Sequence, residues 1–259
     1  SSLGNTLKEL GKLDKAEASY RQAIALKPDF NEAYHNLGTT LSELHRLDAA
    51  ETSYTQAITL KPDFSEAHNS LGNVFKGLNK FHKAEERYKQ AIQLKPSSSR
   101  AYINLGIALV EQGRINEAKI KYRQSTWLQP SSAETHRNLT LIKSFEFEDE
   151  QYFKMRELYL NQTISEEQRC QINFALGKAC EDLGYFEQSY QHYTEGNQLR
   201  KKLLGYDIDR DVVLFKQIKS SYEQISKLSL TPHRSRKYPT PIFIVGMPRS
   251  GTTLVEQII

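Results

Sequence analysis

The stretch NEAYHNLGTTLSELHRLDAAETSYTQAITLKPDF, Asn31–Phe64, decides the fold, because the chain then repeats it twice. SEAHNSLGNVFKGLNKFHKAEERYKQAIQLKPSS (Ser65–Ser98) and SRAYINLGIALVEQGRINEAKIKYRQSTWLQPSS (Ser99–Ser132) follow without a gap, each 34 residues long. Leu37, Leu71 and Leu105 fall in register, and each is followed by a glycine: Gly38, Gly72, Gly106. Ala50, Ala84 and Ala118 align as well, then Tyr54, Tyr88 and Tyr122, then Pro62, Pro96 and Pro130. Upstream, Leu3, Gly4, Ala16, Tyr20, Ala23 and Pro28 mark a fourth copy whose first four positions are missing, so the chain is expected to begin inside a unit. Self-similarity at a fixed period of this size is the mark of a repeat architecture.

The recurring positions have packing reasons. A glycine after the leucine, and an alanine farther on, let two helices approach closely, while leucine and tyrosine fill the space around that contact. Proline cannot continue the second helix and so sets the turn into the next unit. A single unit cannot bury its apolar face, whereas stacked neighbours can. The reading is mainly α, a solenoid of helical hairpins with a concave groove, and the four aligned copies resemble the tetratricopeptide repeat.

Outward from the repeats the register fades after Pro130. His136 and Leu139 keep their positions, and Glu148–Leu160 reads as an irregular helix with acidic residues at its start. Ser165 and Gln168 form a capping-box signature opening a longer helix. Leu176-Gly177, Cys180, Ser189, Tyr193 and Gly196 then restore the repeat offsets, so a fifth, degenerate unit is expected over Cys170–Leu203. Asp209 is expected to cap a last helix carrying Leu214, Phe215, Ile218, Tyr222 and Ile225 on one face. The organisation is thus repeats over 1–132, degenerate repeats and capping helices over 133–228, a proline-bearing linker over 229–240, and a different kind of structure over 241–259.

Composition narrows the function. The 259 residues are 38% hydrophobic and 25% charged, with mean hydropathy −0.62, and no apolar run reaches the roughly 18–20 residues of a membrane span. A net charge of +4 suits an anionic ligand, but basic residues form only short runs, as at Ser235–Lys237, so no nucleic-acid partner is expected. Cys170 and Cys180 lie on one helix, roughly 15 Å apart, too far for a disulfide. Buried or idle thiols and a cytoplasmic location are expected. The seven histidines form no metal-binding pattern, and no metal is expected.

At the sixth position of successive units stand Asn36, Ser70, Asn104 and Asn138, on the first helices that face the groove. An amide offers both donor and acceptor, so such a row can bind the backbone of an extended peptide. It is similar to a row in the repeats of glycosyltransferases that modify protein serines. Equally, asparagine is tolerated at a solvated position between tight packing sites. Tyr34, Tyr54, Tyr88 and Tyr122 read as packing residues.

The chain closes on PIFIVGMPRSGTTLVEQII, Pro241–Ile259. Ile242–Val245 reads as a buried strand, Gly246–Thr253 as a tight turn and Leu254–Ile259 as the opening of a helix. That order aims several backbone N–H groups and the positive end of a helix at one point, where a phosphate sits readily. Gly246 and Gly251 keep the glycine spacing of a nucleoside-triphosphate loop, but Thr252 stands where that loop needs its lysine. Arg249 supplies a cation inside the turn instead, beside Ser250, Thr252 and Thr253, a set suited to a lone 5′-phosphate.

IFIVGMPRSGTTL resembles the donor-binding loop of sulfotransferases, and PRSGTTL is similar to that of tyrosylprotein and Golgi carbohydrate sulfotransferases. With repeats in front, the chain resembles bacterial tetratricopeptide-repeat sulfotransferases, a match that is firm over about half the chain and, for the enzymatic part, covers 241–259. The resemblance implies a P-loop-like α/β domain opening with this strand, loop and helix. It implies 3′-phosphoadenosine-5′-phosphosulfate (PAPS) as donor, a hydroxyl acceptor on protein tyrosine or carbohydrate, and a protein or peptide partner for the repeats. Arg249, Ser250, Gly251, Thr252 and Thr253 would hold the donor's 5′-phosphate, with Gly246 and Pro248 shaping the turn.

The family's general base and 3′-phosphate site lie beyond the loop, so the catalytic residue stays unassigned. Glu256, beside the bound dianion, is expected to point elsewhere. The chain is expected to be cut at both ends, inactive alone, and to pack 241–259 poorly for lack of neighbouring strands. A repeat scaffold that binds peptide without catalysis, and a P-loop kinase or NTPase, stay open as alternatives.

Overall fold

In the computed structural model, which describes residues 2–227 and their side chains as far as 221, the 34-residue period becomes a series of antiparallel helix pairs. α1 (Ser2–Glu9) pairs with α2 (Leu13–Leu26), α3 (Asn31–Glu43) with α4 (Leu47–Leu60), α5 (Ser65–Gly77) with α6 (Phe81–Leu94), and α7 (Ser99–Glu111) with α8 (Ile115–Leu128). Each second helix also packs on the first helix of the following pair, and first helices adjoin one another along one face, α3 on α5 and α5 on α7. There is no strand among the described residues, and the expected strand, loop and helix of 241–259 lie outside them.

The glycine after the leucine turns out to be half of a fixed pair. A Cβ built on Gly38, Gly72 or Gly106 would fall 2.9, 2.5 or 2.4 Å from the ring of Tyr54, Tyr88 or Tyr122, always 16 residues farther on. Gly4 stands in the same relation to Tyr20, at 2.6 Å. Each tyrosine ring therefore lies flat on bare helix backbone, and the hairpin closes to a distance that no other side chain permits. The tyrosines are buried, together with Leu37, Leu41, Leu71, Phe75, Leu105 and Leu109, in one continuous core. Their hydroxyls reach the groove-side edge, where Tyr20 donates to Asn5 (2.6 Å), Tyr54 to Thr39 (3.1 Å) and Tyr88 to Asn73 (2.8 Å).

The turns follow from local backbone preference. Between helices of a pair one residue is left-handed: Gly11 (φ 69), His45 (φ 58), Asn79 (φ 57) and Gly113 (φ 74). Glycine takes that conformation without strain, and asparagine and histidine tolerate it better than most residues. At the far end Lys27, Lys61, Lys95 and Gln129 each precede a proline, whose ring bars the α conformation to them. Their φ values of −140, −139, −139 and −142 end the second helices.

Charges tie one unit to the next. Glu17, Glu51 and Glu85, on second helices, receive Arg46 (2.9 Å), Lys80 (3.4 Å) and Arg114 (2.6 Å) from the turn of the following unit. Glu85 is buried and also accepts from Lys89 (2.8 Å) and Gln112 (3.2 Å). Burial acts to raise its pKa, but the bonds from Lys89, Arg114 and Gln112 outweigh it and hold the carboxyl down at about 2.

After Pro130 the pattern loosens for a visible reason. α9 (Ala133–Thr140) carries Thr140 where its predecessors carry glycine, and the residue 16 farther on is Arg156, not tyrosine. Both partners of the close contact are gone. α10 (Glu150–Leu160) consequently packs more on α11 (Glu166–Asp182) than on α9, and a second core forms around Phe145, Met155, Ile172 and Leu176. The irregular helix expected from Glu148 begins at Glu150, because Glu148 is left-handed (φ 65) and Asp149 caps the helix by accepting from Gln151 N (2.9 Å).

The capping box forms as read: Ser165 Oγ accepts from Gln168 N (3.2 Å), and Gln168 Oε1 accepts from Ser165 N (3.0 Å). α11 and α12 (Phe186–Leu203) then rebuild a regular hairpin, with Gly177 against Tyr193 and Gly184 left-handed. Counting α9 and α10, this restored pair is the sixth, not the fifth.

This body runs through Tyr206, and α13 (Ile208–Lys227) belongs to a second unit. The cap of α13 is Asp207 rather than Asp209. Asp209 already lies in the first turn, and its N–H donates to Asp207 Oδ1 at 3.0 Å.

Candidate functional site

The four groove residues lie on successive first helices, Asn36 on α3, Ser70 on α5, Asn104 on α7 and Asn138 on α9. Three of them bond to the unit before. Asn36 Nδ2 donates to Asn5 Oδ1 (3.3 Å), Ser70 Oγ meets His35 Nε2 (3.3 Å), and Asn104 Nδ2 donates to Asn69 Oδ1 (3.0 Å). The row is therefore a polar seam between units. Asn104 is buried in it, while Asn36, Ser70 and Asn138 are half-buried and keep surface on the groove. The partners stand 31 or 35 residues away, a spacing that becomes a contact only once the units are stacked.

His35 is gripped between aromatic rings, with centroids 4.9 Å from Phe64 and 5.4 Å from Tyr54. Burial lowers its pKa, more than Asn36 and Glu66 nearby raise it, so the ring is neutral near pH ~7. Tyr54, Tyr88 and Tyr122 are buried packing groups, as read, while Tyr34 is half-buried.

On the same first helices Asn5 and Asn73 are exposed and Thr39 and Asn69 half-buried, while Ile107 and Val110 on α7 are half-buried against the core.

Cys170 and Cys180 are free and buried, and burial raises both thiols above their ordinary range. They are packing residues, inert as nucleophiles. Gly246, Pro248, Arg249, Ser250, Gly251, Thr252 and Thr253 lie outside the described residues. A feature the sequence reading missed is a concavity beside Trp127, whose signal was available: the other units carry Ala25, Thr59 and Gln93 at that position. No helix among the described residues is long and apolar enough to cross a membrane.

Comparison with known proteins agrees with this architecture. A family described as TPR repeat matches residues 4–45 and 73–113, and one described as tetratricopeptide repeat matches 32–64 and 99–132. A third, described as sulfotransferase family, matches residues 241–259. An uncharacterized protein of Aquifex aeolicus (strain VF5) is 29% identical over 125 residues, which are 46% of this chain and 15% of that protein's length.

Among solved structures, the type IV pilus biogenesis factor PilW superposes with a TM-score of 0.62 at 21% identity, covering 83% of this chain and 96% of its own. PilF of Pseudomonas aeruginosa gives 0.61 at 18% identity, covering 83% and 95%. MamA gives 0.50 at 17% identity, covering 78% and 97%. At these identities the likeness concerns the fold. The Gly–Tyr hairpins and the matched residues agree: the chain carries tetratricopeptide repeats, and its described body is a mainly helical solenoid built from them.

Proposed function

We propose that this chain is the recognition arm and the first phosphate-binding turn of a PAPS-dependent sulfotransferase acting on a hydroxyl acceptor, protein tyrosine or carbohydrate. One conjunction carries the reading. The sulfotransferase match falls on residues 241–259, the same residues whose spacing suits a lone nucleotide 5′-phosphate, and it follows a helical repeat body. Arg249, Ser250, Gly251, Thr252 and Thr253 would surround that phosphate, with Gly246 and Pro248 setting the turn. Backbone N–H groups and one guanidinium favour a dianion there, and Thr252 in the lysine position disfavours a triphosphate. PAPS would supply the sulfuryl group. The row of Asn36, Ser70, Asn104 and Asn138 on successive first helices suits the backbone of an extended peptide, so the repeats would present a protein partner or acceptor.

The test is transfer of radiolabelled sulfate from PAPS by the protein expressed from its whole reading frame. Label should reach a tyrosine peptide or a carbohydrate, and Arg249→Ala should abolish it. Removing residues 1–132 should reduce transfer to a protein acceptor more than to a small one. Transfer to no acceptor, or hydrolysis of ATP in its place, contradicts the reading. Peptide binding that survives deletion of 229–259 with no transfer in the intact protein would leave a scaffold without catalysis.

A further inference from the structure

The loosening at α10 leaves a second concavity, a cleft of about 350 Å³ between the start of α10 and the turn that joins α11 to α12. One bond holds the two sides together: Phe145 N donates to Asp182 Oδ2 (3.2 Å), which pins the loop before α10 to the end of α11. Phe145 is buried, and Phe147, two residues on, lines the cleft with 79% of its surface exposed. The same alternation recurs on α10, where Tyr152 is buried and Phe153, also in the lining, is 53% exposed. Tyr185 joins them from the α11–α12 turn, 38% exposed. Phe145 and Tyr152 already serve the core here, so the packing of the body does not call for Phe147 and Phe153.

Charge adds the second half of the description. Glu148 lies in the lining, and Glu146 and Glu187 adjoin lining residues in the chain; all three are exposed. Asp149 and Glu150 are taken by Lys143 and Lys154, whereas Glu146, Glu148 and Glu187 form no ion pair among the described residues. The one cation of the lining is Arg156, which stands where a regular hairpin carries its tyrosine. Its guanidinium rests over the Tyr152 ring, 5.8 Å from the centroid.

These features define an occupant. The face of an aromatic ring is electron-rich and attracts a cation. With three unpaired carboxylates against one guanidinium, the cleft favours a positive group and opposes an anion. A guanidinium fits it better than an ammonium, because it is flat and weakly hydrated, stacks on a ring and still offers its edge to a carboxylate. We propose that the cleft is a docking site for an arginine of a partner protein, carried on an extended basic segment, with the guanidinium stacked against Phe147 and Phe153 and paired with Glu148. The proposal does not rest on the sulfuryl-donor reading, and the two fail independently. It also concerns a different surface from the row of Asn36, Ser70, Asn104 and Asn138, none of which lines the cleft.

The probe is a fluorescein-labelled peptide of glycine and serine with two central arginines, titrated with the full chain and followed by fluorescence anisotropy. It should bind saturably, and more tightly than versions with lysine or glutamine in place of arginine. Phe147→Ala and Phe153→Ala should each weaken it about 2- to 30-fold. Both rings are exposed, so helix content by circular dichroism should not change. Glu148→Gln should weaken it about 2- to 5-fold, and Arg156→Gln, by removing the one opposing charge, should tighten it by a similar factor. No saturable binding, equal affinity for the glutamine peptide, tighter binding of a lysine or glutamate peptide, or indifference to both phenylalanine substitutions would overturn the proposal. So would a dimer detected by sedimentation and broken by Phe147→Ala, which would assign the face to a second copy of the chain.

Discussion

Replacing Gly106 by alanine should destabilise the protein although alanine is the better helix former. The new Cβ would lie 2.4 Å from Tyr122 Cε1, 2.8 Å from Cδ1 and 2.9 Å from Cζ, where ordinary contact begins near 3.4 Å. The ring must therefore retreat by about 1 Å into a core that is already filled, and overpacking of that kind costs roughly 1–3 kcal/mol. With an overlap this deep we take the upper half of the range. Alanine in place of glycine inside a helix returns about 1 kcal/mol. The net loss is then about 1–2 kcal/mol. In a Tyr122→Val background the ring atoms are gone, and the same substitution should stabilise by about 1 kcal/mol.

The sign thus reverses, with a coupling of roughly 2–3 kcal/mol. Urea titrations followed by circular dichroism on all four proteins measure it, using midpoints together with slopes because repeat arrays lose cooperativity. Gly77→Ala is the control. Its Cβ would meet only the flexible end of Leu47, at 3.2 Å, so it should be neutral or stabilising. A higher midpoint for Gly106→Ala alone, or equal effects in both backgrounds, would refute the Gly–Tyr account of hairpin closure.

The Glu85 carboxyl, held down at about 2 from an ordinary 4.5, contributes stability that is present above about pH 4.5 and is lost as pH falls toward about 2. The shift sets a ceiling of roughly 3 kcal/mol, which the partial exposure of Lys89 and Arg114 reduces to about 1–2 kcal/mol. Glu85→Gln should therefore lower the urea midpoint near pH ~6 and flatten its fall toward pH ~3; an unchanged slope contradicts the assignment. His45 is left-handed without being glycine, so His45→Gly should raise thermal stability by about 0.5–1 kcal/mol, and a loss would show that its side chain matters more than its backbone. Cys170 and Cys180, buried and with raised pKa, should resist a chromogenic disulfide reagent in the native protein and react together on unfolding.

The sequence makes the regular hairpins legible because one geometric requirement recurs: wherever Leu-Gly is followed 16 residues later by tyrosine, a close pair forms, and this holds for Gly177 and Tyr193 after a long interruption. The interruption was opaque for the complementary reason. Thr140 and Arg156 replace both members of the pair, and nothing local says where α10 then packs. Asp207 and Asp209 are both good caps by type, and only the position of the first helical turn selects Asp207. Asn36, Ser70 and Asn104 were found as a row, but not as a seam, since Asn5, His35 and Asn69 become their neighbours through stacking alone. His136 was legible as a residue that keeps its repeat position; that its carbonyl accepts from Gln151 depends on the displaced α10.

The most direct test of the functional account is calorimetric titration of adenosine 3′,5′-bisphosphate into the protein expressed from its whole reading frame, with and without Arg249→Ala. Charge-assisted bonds from one guanidinium are worth about 1.5–3 kcal/mol, so the account predicts one saturable site that the substitution weakens roughly 10- to 150-fold. Equal affinity in both proteins, or preference for ATP with magnesium, would contradict it.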